Sequence, residues 1–265
     1  MTILQIIVLA LIQGLTEFLP VSSSAHLILG GKVFGWPDQG LVFDVATHLG
    51  TLLAVLFYFR RELLGMTACW FRPVRTPRDR QNRSMFVYLS VSSLATIFIG
   101  YLAFDLISEN LRDLRVIALA TLGFGVLLWV ADAVSKEEKG IEGIDIRGAL
   151  LIGLAQACAL IPGASRSGVT ITAGRLLGLS SDAAARFSFL LSIPVIAAAG
   201  GYGFLKTLQG DAGIDWLQFL LATGFAAIAG WVCIAAFLAL LKRVGLVPFI
   251  IYRLVLGLVL LWMVV

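Results

Sequence analysis

Six stretches of about 20 mostly apolar residues dominate this sequence, at positions 41–59, 84–104, 115–133, 183–205, 216–240 and 246–265. A helix needs about 20 apolar residues to cross the hydrocarbon core of a bilayer. Hydrophobic residues make up 59% of the chain and charged residues only 14%, whereas a soluble domain carries about 25% charged residues. The sequence therefore predicts an all-α polytopic membrane protein, with residues 1–265 forming one integral membrane domain.

Two further apolar segments are shorter and are interrupted by proline and small polar residues. Residues 3–18 are followed by LPVSSSAHLILGGKVFG, and residues 148–161 are followed by PGASRSGVTITAGRLLG. Non-helical backbone is tolerated at membrane depth only where it is buried in protein or lines a wet cavity. We therefore predict six full transmembrane helices plus two broken, re-entrant helix pairs.

The two broken segments correspond to each other at a constant spacing. Four pairs of residues recur 142 positions apart: Pro20 with Pro162, Ser23 with Ser165, Ser24 with Arg166, and Asp44 with Arg186. Interrupted helices at matching positions of two halves indicate a binding site near the bilayer midplane. The sequence thus predicts two inverted-topology repeats, the first at about 1–133 and the second at about 148–265.

Lysine and arginine are unevenly distributed among the predicted loops. Twelve of them lie in the segments 60–83, 134–147 and 241–245, and four lie in the loops of the opposite side. Because loops rich in Lys and Arg stay in the cytoplasm, we predict 60–83 and 134–147 as cytoplasmic loops. Both termini then lie on the outer, periplasmic side, and the tips of the two broken segments meet within the membrane.

Arg166 is the charged residue at the centre of the second broken segment. Its planar guanidinium matches the geometry of phosphate oxygens, and amides at the start of a helix over 166–178 would point at an anion. Small or hydroxyl-bearing neighbours would let a phosphate approach and would add donors: Gly163, Ala164, Ser165, Ser167, Gly168 and Thr170. This stretch predicts an anion site of phosphate size; the alternative is an arginine paired to a carboxylate for packing alone.

The first broken segment carries groups suited to nucleophilic and acid–base chemistry. Gln13 and Glu17 share one helix face at i, i+4 spacing, and three serines precede His26 closely: Ser22, Ser23 and Ser24. A serine nucleophile needs a base such as histidine, but His26 could itself be the nucleophile or the general acid. Glu17 could orient His26 or hold a divalent cation. Alternatively, the serines cap a half-helix and His26 lines a helix contact.

Three other polar residues interrupt the apolar segments. His48 lies four residues after Asp44, which makes it either a helper of the site or part of a polar contact between helices. Arg253 is expected to form a structural pair or to extend its side chain to the interface. The sequence contains no Walker-type loop, no GxGxxG and no Cys/His metal spacing, which argues against a nucleotide-powered pump.

Together, EFLPVSSSAH and PGASRSGVT resemble the two signature regions of the bacterial undecaprenyl-diphosphate phosphatase family, also called BacA. The resemblance covers essentially the full chain, including FDVATHLG and the arginine-rich loop after it. It implies a hydrolase of the bacterial plasma (inner) membrane that removes the terminal phosphate of undecaprenyl diphosphate and recycles the lipid carrier for peptidoglycan synthesis. It also implies bacitracin resistance, because bacitracin sequesters the diphosphate form.

By motif matching, the resemblance implies that five residues form the active site: Glu17, Ser23, His26, Ser165 and Arg166. It also implies a divalent cation, Mg or Ca, with Glu17 as a ligand and Gln13 at the position of a second ligand; our hypothesis is that Asp44 substitutes for the missing carboxylate. The family often has glutamate where this chain has Gln13, and glutamine brings no charge to such a site. We favour Ser23 as the nucleophile, with His26 as its base held by Glu17; attack by His26 and activation of water are the alternatives.

The competing function is a lipid-phosphate transporter or flippase that uses the same midplane site, because inverted repeats with broken helices are a transporter design. A purely structural or partner-binding membrane protein would leave the juxtaposition of Arg166 with Ser23 and His26 without a role. The expected partners are the lipid substrate and the bilayer, and nucleic acid is not expected. The sequence is compatible with a homo-oligomer.

Overall fold

The computed structural model describes residues 1–37, 39–110, 113–135, 138–209 and 214–264, with the backbone alone over 103–110. These ranges are helical and contain no β-strand beyond one isolated bridge between Lys139 and Leu179. Arg112 and Lys136, two of the loop charges counted above, lie outside the described residues.

Eleven α-helices follow one another along the described residues. They are α1 (Ile3–Glu17), α2 (Ser23–Phe34), α3 (Gly40–Tyr58), α4 (Arg60–Phe71), α5 (Pro77–Asn110), α6 (Leu114–Val134), α7 (Ile146–Gln156), α8 (Arg166–Leu176), α9 (Ser181–Gln209), α10 (Trp216–Val244) and α11 (Val247–Trp262). Short 3₁₀ helices lie at Ile141–Gly143 and Ala157–Leu160.

Five helices, α3, α5, α6, α9 and α10, are long and apolar enough to cross a membrane. The fold is therefore that of a polytopic membrane protein, as the sequence predicts. The sixth predicted span, 246–265, is instead a helix of 16 residues, Val247–Trp262. It begins one residue into the predicted span, after Gly245 ends α10 with a φ of 66°, and it ends at Trp262, three residues before the predicted end. Pro248 lies in its first turn, where proline is well tolerated.

The predicted cytoplasmic loop 60–83 is mostly helical, which corrects the sequence interpretation. α4 occupies its first half, and α5 already begins at Pro77. The reason for α4 is a set of apolar residues at helical spacing among the arginines, of which Met66 and Cys69 are buried. Thr76 and Asp79 then cap α5 reciprocally, each side chain accepting from the other residue's backbone amide.

Small residues bring the half-helices close to the long ones. A Cβ added at Gly14 on α1 would lie 2.6 Å from the Cβ of Ala229 on α10, and one added at Gly153 on α7 would lie 2.4 Å from the carbonyl oxygen of Ser92 on α5. The hydroxyl of Ser92 donates to the carbonyl of Ala149 at 2.6 Å. Such close backbone approach and interhelical hydrogen bonding are how helices associate in a bilayer.

Arg253 on α11 is fully buried and binds the two turns that interrupt the broken segments. The first turn, residues 18–22, joins α1 to α2, and the second turn, residues 157–165, joins α7 to α8. Its guanidinium donates to four backbone carbonyls, those of Pro20 (3.2 Å), Gly163 (3.0 Å), Ala164 (2.5 Å) and, through Nε, Thr121 (3.0 Å). Pro20 lies in the first turn, Gly163 and Ala164 lie in the second, and Thr121 belongs to α6. Arg253 thus has a structural role, with carbonyls in place of a carboxylate partner.

We expect Arg253→Met to lower the melting temperature of the purified protein in detergent by on the order of 10 °C. Four buried carbonyls would lose their donor, and leaving even a few such groups unsatisfied costs roughly 3 kcal/mol or more. Arg243→Met, at the exposed end of α10, is the matched control. Equal melting temperatures for the two variants would show that Arg253 does not hold the turns together.

Candidate active site

The two helices that follow the turns begin in the same way. Ser22 precedes α2 and Ser165 precedes α8, with φ values of 71° and 65°. Each hydroxyl accepts a hydrogen bond from the amide three residues later, that of Ala25 or of Gly168. Within the described ranges these serines are the non-glycine residues with positive φ, a strained conformation that clusters at functional sites.

The two capping serines are 143 residues apart, one more than the spacing of 142 that the prolines suggest. When the two helices are compared from their capping serines, Ser23 corresponds to Arg166, because each is the first residue of its helix. The spacing of 142 pairs Ser24 with Arg166 instead. The first amides of each helix have no acceptor within the helix and carry a partial positive charge. Two helix starts of this kind suit an anion.

Glu17, the last residue of α1, connects the groups of the site. Its Oε2 accepts from the Nε2 of Gln13 at 2.9 Å and from the Oγ of Ser23 at 2.9 Å. Its Oε1 lies 3.4 Å from an amino nitrogen of Arg166. The structure therefore brings a hydroxyl from the first broken segment and a guanidinium from the second to one buried carboxylate.

Arg166 is held at its tip and leaves part of its donor set unused. One amino nitrogen donates to the carbonyl of Ser188 on α9 at 3.1 Å, and the other faces Glu17. The Nε atom is buried and has no hydrogen-bond partner among the described residues. A buried guanidinium N–H without an acceptor is costly, and a phosphate oxygen is the acceptor that such a group fits.

His26 contacts groups other than those expected from the sequence. Its Nδ1 lies 2.7 Å from the carbonyl oxygen of Ser22, and its Nε2 lies 2.7 Å from the hydroxyl of Tyr252 on α11. The ring also stacks on Tyr252, with centroids 5.6 Å apart. The expected arrangement in which Glu17 holds His26 is therefore corrected, because Glu17 bonds directly to Ser23.

The small residues around Arg166 serve the second turn itself. A Cβ at Gly163, where φ is 94°, would lie 2.4 Å from the carbonyl oxygen of Ile117, and a Cβ at Gly168 would collide with the guanidinium of Arg253. Gly163 and Gly168 are therefore not substrate-binding positions as predicted from the sequence, because the space beside them is taken by α6 and by Arg253. Their lack of a side chain lets protein, and not ligand, approach the backbone.

The hydroxyls of the second motif are also engaged within the protein. Ser167 donates to the carbonyl of Leu19 at 2.7 Å and so joins α8 to the first turn. The Thr170 hydroxyl lies 2.7 Å from the Ser188 hydroxyl, beneath Arg166, and is buried. Ser165 caps α8 and lies 3.2 Å from Ser167.

The other two serines of the first motif differ in exposure. Ser22 is buried and caps α2, and its hydroxyl lies 3.2 Å from that of Ser24. Ser24 is exposed, and Ser23 is half-buried. Ser23 is therefore the serine that combines contact with Glu17 and access from outside.

A divalent cation has two suitable oxygen donors here. The Oε1 of Gln13 is buried and has no partner among the described residues, and it belongs to the same side chain that contacts Glu17. Hard cations take carboxylate and amide oxygens, and Mg²⁺ is often held by one carboxylate with substrate phosphates. Gln13 and Glu17 fit that pattern, although the described residues contain no cluster of three or more His, Cys, Asp or Glu.

Asp44 and His48 lie four residues apart on α3. The Nδ1 of His48 is 2.7 Å from the backbone carbonyl oxygen of Asp44, so the two residues meet through the main chain of one helix. The hydrogen bonds and ion pairs of Glu17 within the described chain join it to Gln13, Ser23 and Arg166. Asp44 as a cation ligand stays a prediction.

Tyr252 and Ser188 contact the site but were not predicted from the sequence. Ser188 had a signal, since it and Ser192 interrupt the apolar segment 183–205 at i, i+4 spacing, and Ser188 supports both Arg166 and Thr170. Nothing in the sequence indicates Tyr252 except its position next to Arg253, because its contact with His26 joins residues 226 positions apart.

The chain is similar to known proteins over its whole length. The family model for bacitracin resistance protein BacA matches residues 6–259. An undecaprenyl-diphosphatase of Alteromonas mediterranea is 49% identical over 100% of this chain and 99% of its own. Undecaprenyl-diphosphatase 2 of Stutzerimonas stutzeri is 53% identical over 98% of both chains, and an undecaprenyl-diphosphatase of Colwellia psychrerythraea is 51% identical over 99% of both. Because the family model covers nearly the whole chain and these relatives are 49–53% identical to it, the chain belongs to the BacA family of bacitracin resistance proteins.

Proposed function

We propose that this protein hydrolyses undecaprenyl diphosphate to undecaprenyl phosphate and inorganic phosphate. The observation that carries the proposal is the connection of Ser23, Glu17 and Arg166 at the starts of two half-helices. The names of the similar proteins support the substrate. The activity would recycle the lipid carrier for peptidoglycan synthesis and confer bacitracin resistance.

We further propose that the chain consists of two inverted repeats, at about 1–133 and 148–265, each with a broken re-entrant pair. Support comes from the capping serines and from Gln13 and Gln156, two buried glutamines that are also 143 residues apart. The packing is reciprocal, since α1 contacts α10 and α7 contacts α5. The distribution of Lys and Arg supports an inner-membrane protein with both termini in the periplasm.

Arg166 is the group we assign to the terminal phosphate of the substrate. Its unpartnered Nε and the first amides of α2 and α8 offer donors to phosphate oxygens, and its charge stabilises the transferred phosphoryl group. Phosphoryl transfer depends mainly on such positioned electrostatic stabilisation. The isoprenoid tail of the substrate would remain in the bilayer.

Ser23 is the nucleophile that the geometry favours. Its Oγ attacks the terminal phosphorus as its proton passes to Glu17, whose Oε2 already accepts that hydrogen bond. The bond between phosphorus and the bridging oxygen breaks, and undecaprenyl phosphate leaves with the electron pair. Water then attacks the phosphoserine and releases inorganic phosphate and the Ser23 hydroxyl.

His26 is the group we assign to proton transfer from that water. It lies three residues after Ser23 on α2 and therefore on the same helix face. Because a carbonyl only accepts, the hydrogen bond to Ser22 keeps the proton on Nδ1 and leaves Nε2 as the acceptor toward Tyr252. Tyr252 thus positions the imidazole ring. Its hydrogen bond to Nε2 must break before Nε2 can accept a proton from the attacking water.

Gln13 and Glu17 would hold the Mg or Ca ion that the resemblance implies, together with oxygens of the diphosphate. When bound, such an ion neutralises charge on phosphate oxygens. The resemblance implies a second carboxylate at the position of Gln13, where this chain has a neutral oxygen donor, so binding of the ion would rely more on the substrate.

We expect Arg166→Lys, Glu17→Gln and Ser23→Ala each to lower phosphate release from undecaprenyl diphosphate by about 100-fold or more, because each removes a group that acts on the reacting atoms. The assay uses purified protein in detergent with Mg²⁺ or Ca²⁺. Ser24→Ala is the matched control and should keep most of the activity.

Flux measurements in vesicles separate hydrolysis from transport. A parent protein that is folded, releases no phosphate with either ion, and moves lipid phosphate across vesicles would contradict the hydrolase and favour the transporter. Retained activity in Ser23→Ala with loss in His26→Ala would contradict serine attack and favour His26 as nucleophile.

We expect Gln13→Glu to lower the Mg²⁺ concentration for half-maximal activity by about 10-fold, because a second carboxylate strengthens binding of a hard cation. The same variant should melt at a lower temperature than the parent without cation, because two adjacent carboxylates repel. It should also gain more stability on addition of Mg²⁺. A melting temperature that Mg²⁺ shifts equally in Gln13→Glu, Gln13→Leu and the parent would rule out Gln13 as a ligand.

We expect Tyr252→Phe to lower kcat by about 10-fold with little change in KM, because one hydrogen bond of roughly 1–1.5 kcal/mol that positions His26 is lost while the stacked ring remains. Tyr101→Phe, at an exposed tyrosine, is the control. Parental kcat in Tyr252→Phe would show that the hydroxyl does not position His26.

A further inference from the structure

The segment that joins α3 to the membrane part of α5 carries a concentration of positive charge outside the site described above. Seven arginines lie within it: Arg60, Arg61, Arg72, Arg75, Arg78, Arg80 and Arg83. Within the described chain, no ion pair within 4 Å joins any of them to a carboxylate. The two acids of the segment are engaged elsewhere: Glu62 pairs with Arg186, and Asp79 caps α5.

A cavity of about 390 Å³ lies at the start of α5, lined by Val74, Arg80, Arg83, Ser84, Val87 and Tyr88. Two guanidinium groups and two hydroxyls provide donors, the valines provide apolar surface, and no carboxylate lines it. A neighbouring cavity of about 250 Å³ also contains arginines, but Glu62 and Asp79 line it as well. The first cavity is therefore the one with an uncompensated positive charge.

Arg83, which lines this cavity, also stacks on an aromatic ring. Its guanidinium carbon lies 4.7 Å from the centroid of the Trp70 ring, and Trp70 makes an edge contact with Phe86 at 5.4 Å. Stacking on an aromatic face restricts the guanidinium without consuming its hydrogen-bond donors. The N–H groups of the Arg83 guanidinium are therefore available to an anion.

The surroundings of the cavity are those of a membrane surface. α4 exposes Leu64, Trp70 and Phe71, with 67%, 44% and 89% of their surface accessible, next to its arginines. Arg60 lies on the same exposed side of α4 as Leu64 and Phe71. A mixture of guanidinium groups and exposed apolar side chains suits the region between lipid headgroups and acyl chains, because arginine extends its charge to the headgroups while its stem stays in apolar surroundings. A ligand that reaches this cavity meets both guanidinium groups and apolar side chains.

We propose that this cavity binds the headgroup of an anionic glycerophospholipid such as phosphatidylglycerol. The phosphodiester contacts Arg80 and Arg83, the hydroxyls of Ser84 and Tyr88 contact the remaining headgroup oxygens, and the acyl chains lie along Val87 and Phe86. None of the lining residues belongs to the Ser23, Glu17 and Arg166 group, so the site is separate from the one we assign to hydrolysis. Bound lipid would tie α4 to the start of α5.

The test measures retention of lipid by the full-length protein in a neutral detergent. Native mass spectrometry and thermal melting are recorded with phosphatidylglycerol, with phosphatidylcholine and with inorganic phosphate. We expect the parent to retain phosphatidylglycerol and to melt at a higher temperature with it, and to respond to neither of the other two. The double variant Arg80→Gln/Arg83→Gln should bind phosphatidylglycerol at least 10-fold more weakly.

The double variant Arg61→Gln/Arg78→Gln is the matched control, because it removes the same charge from the neighbouring cavity and should keep the affinity of the parent. Phosphate release by both double variants checks that they are folded. Equal loss of lipid in the two variants would overturn the proposal in favour of general charge attraction. Competition by inorganic phosphate at equal concentration would show that the ligand is phosphate and not the lipid. Unchanged binding of phosphatidylglycerol by Arg80→Gln/Arg83→Gln would show that the lipid does not bind in this cavity.

Discussion

Breaking a helix inside an apolar protein leaves backbone carbonyls that no water can satisfy, and Arg253 is the group that satisfies them here. A carbonyl from the first turn, two from the second and one from α6 converge on one planar guanidinium. A lysine carries three donors on one atom and could not address groups in so many directions. The two turns can therefore keep open, strained serine conformations next to each other because a third helix supplies their hydrogen bonds.

The catalytic groups that we propose follow from the helix ends that Arg253 fixes. Glu17 closes α1, Ser23 opens α2 and Arg166 opens α8, so each lies where the backbone changes direction. Residues at helix ends can approach one another in a way that side chains along packed helices cannot. Burial of Glu17 and Arg166 would be unfavourable for either charge alone. Among the residues of this group that the structure describes, the Arg166 Nε and the Gln13 carbonyl oxygen are the buried atoms without a hydrogen-bond partner, and there we place a phosphate and a cation.

Much of this arrangement could be predicted from sequence, because apolar run length and interruptions by Pro, Gly and Ser respond to the bilayer alone. The spans at α3, α6 and α10 agree with the structure within a few residues, and both broken segments are found. The partners of the polar side chains could not be predicted in the same way. Glu17 bonds to Ser23 where His26 was expected, and Gly168 gives space to Arg253 where a ligand was expected. Those contacts depend on residues far apart in the chain, and periodicity carries no information about them. The helix α4 was not predicted because the many arginines of the segment 60–83 led us to interpret all of it as a loop.

The position of Arg253 in the chain has a consequence for biosynthesis. It follows the second turn by about 90 residues and the first by 233. During synthesis both turns therefore enter the membrane before the side chain that fixes them exists, and the segments must wait with their carbonyls in contact with water, lipid headgroups or insertion machinery. Assembly of the site is a late event, so an unfinished chain would display the two serine motifs without being able to bring Ser23 and Arg166 to the same carboxylate.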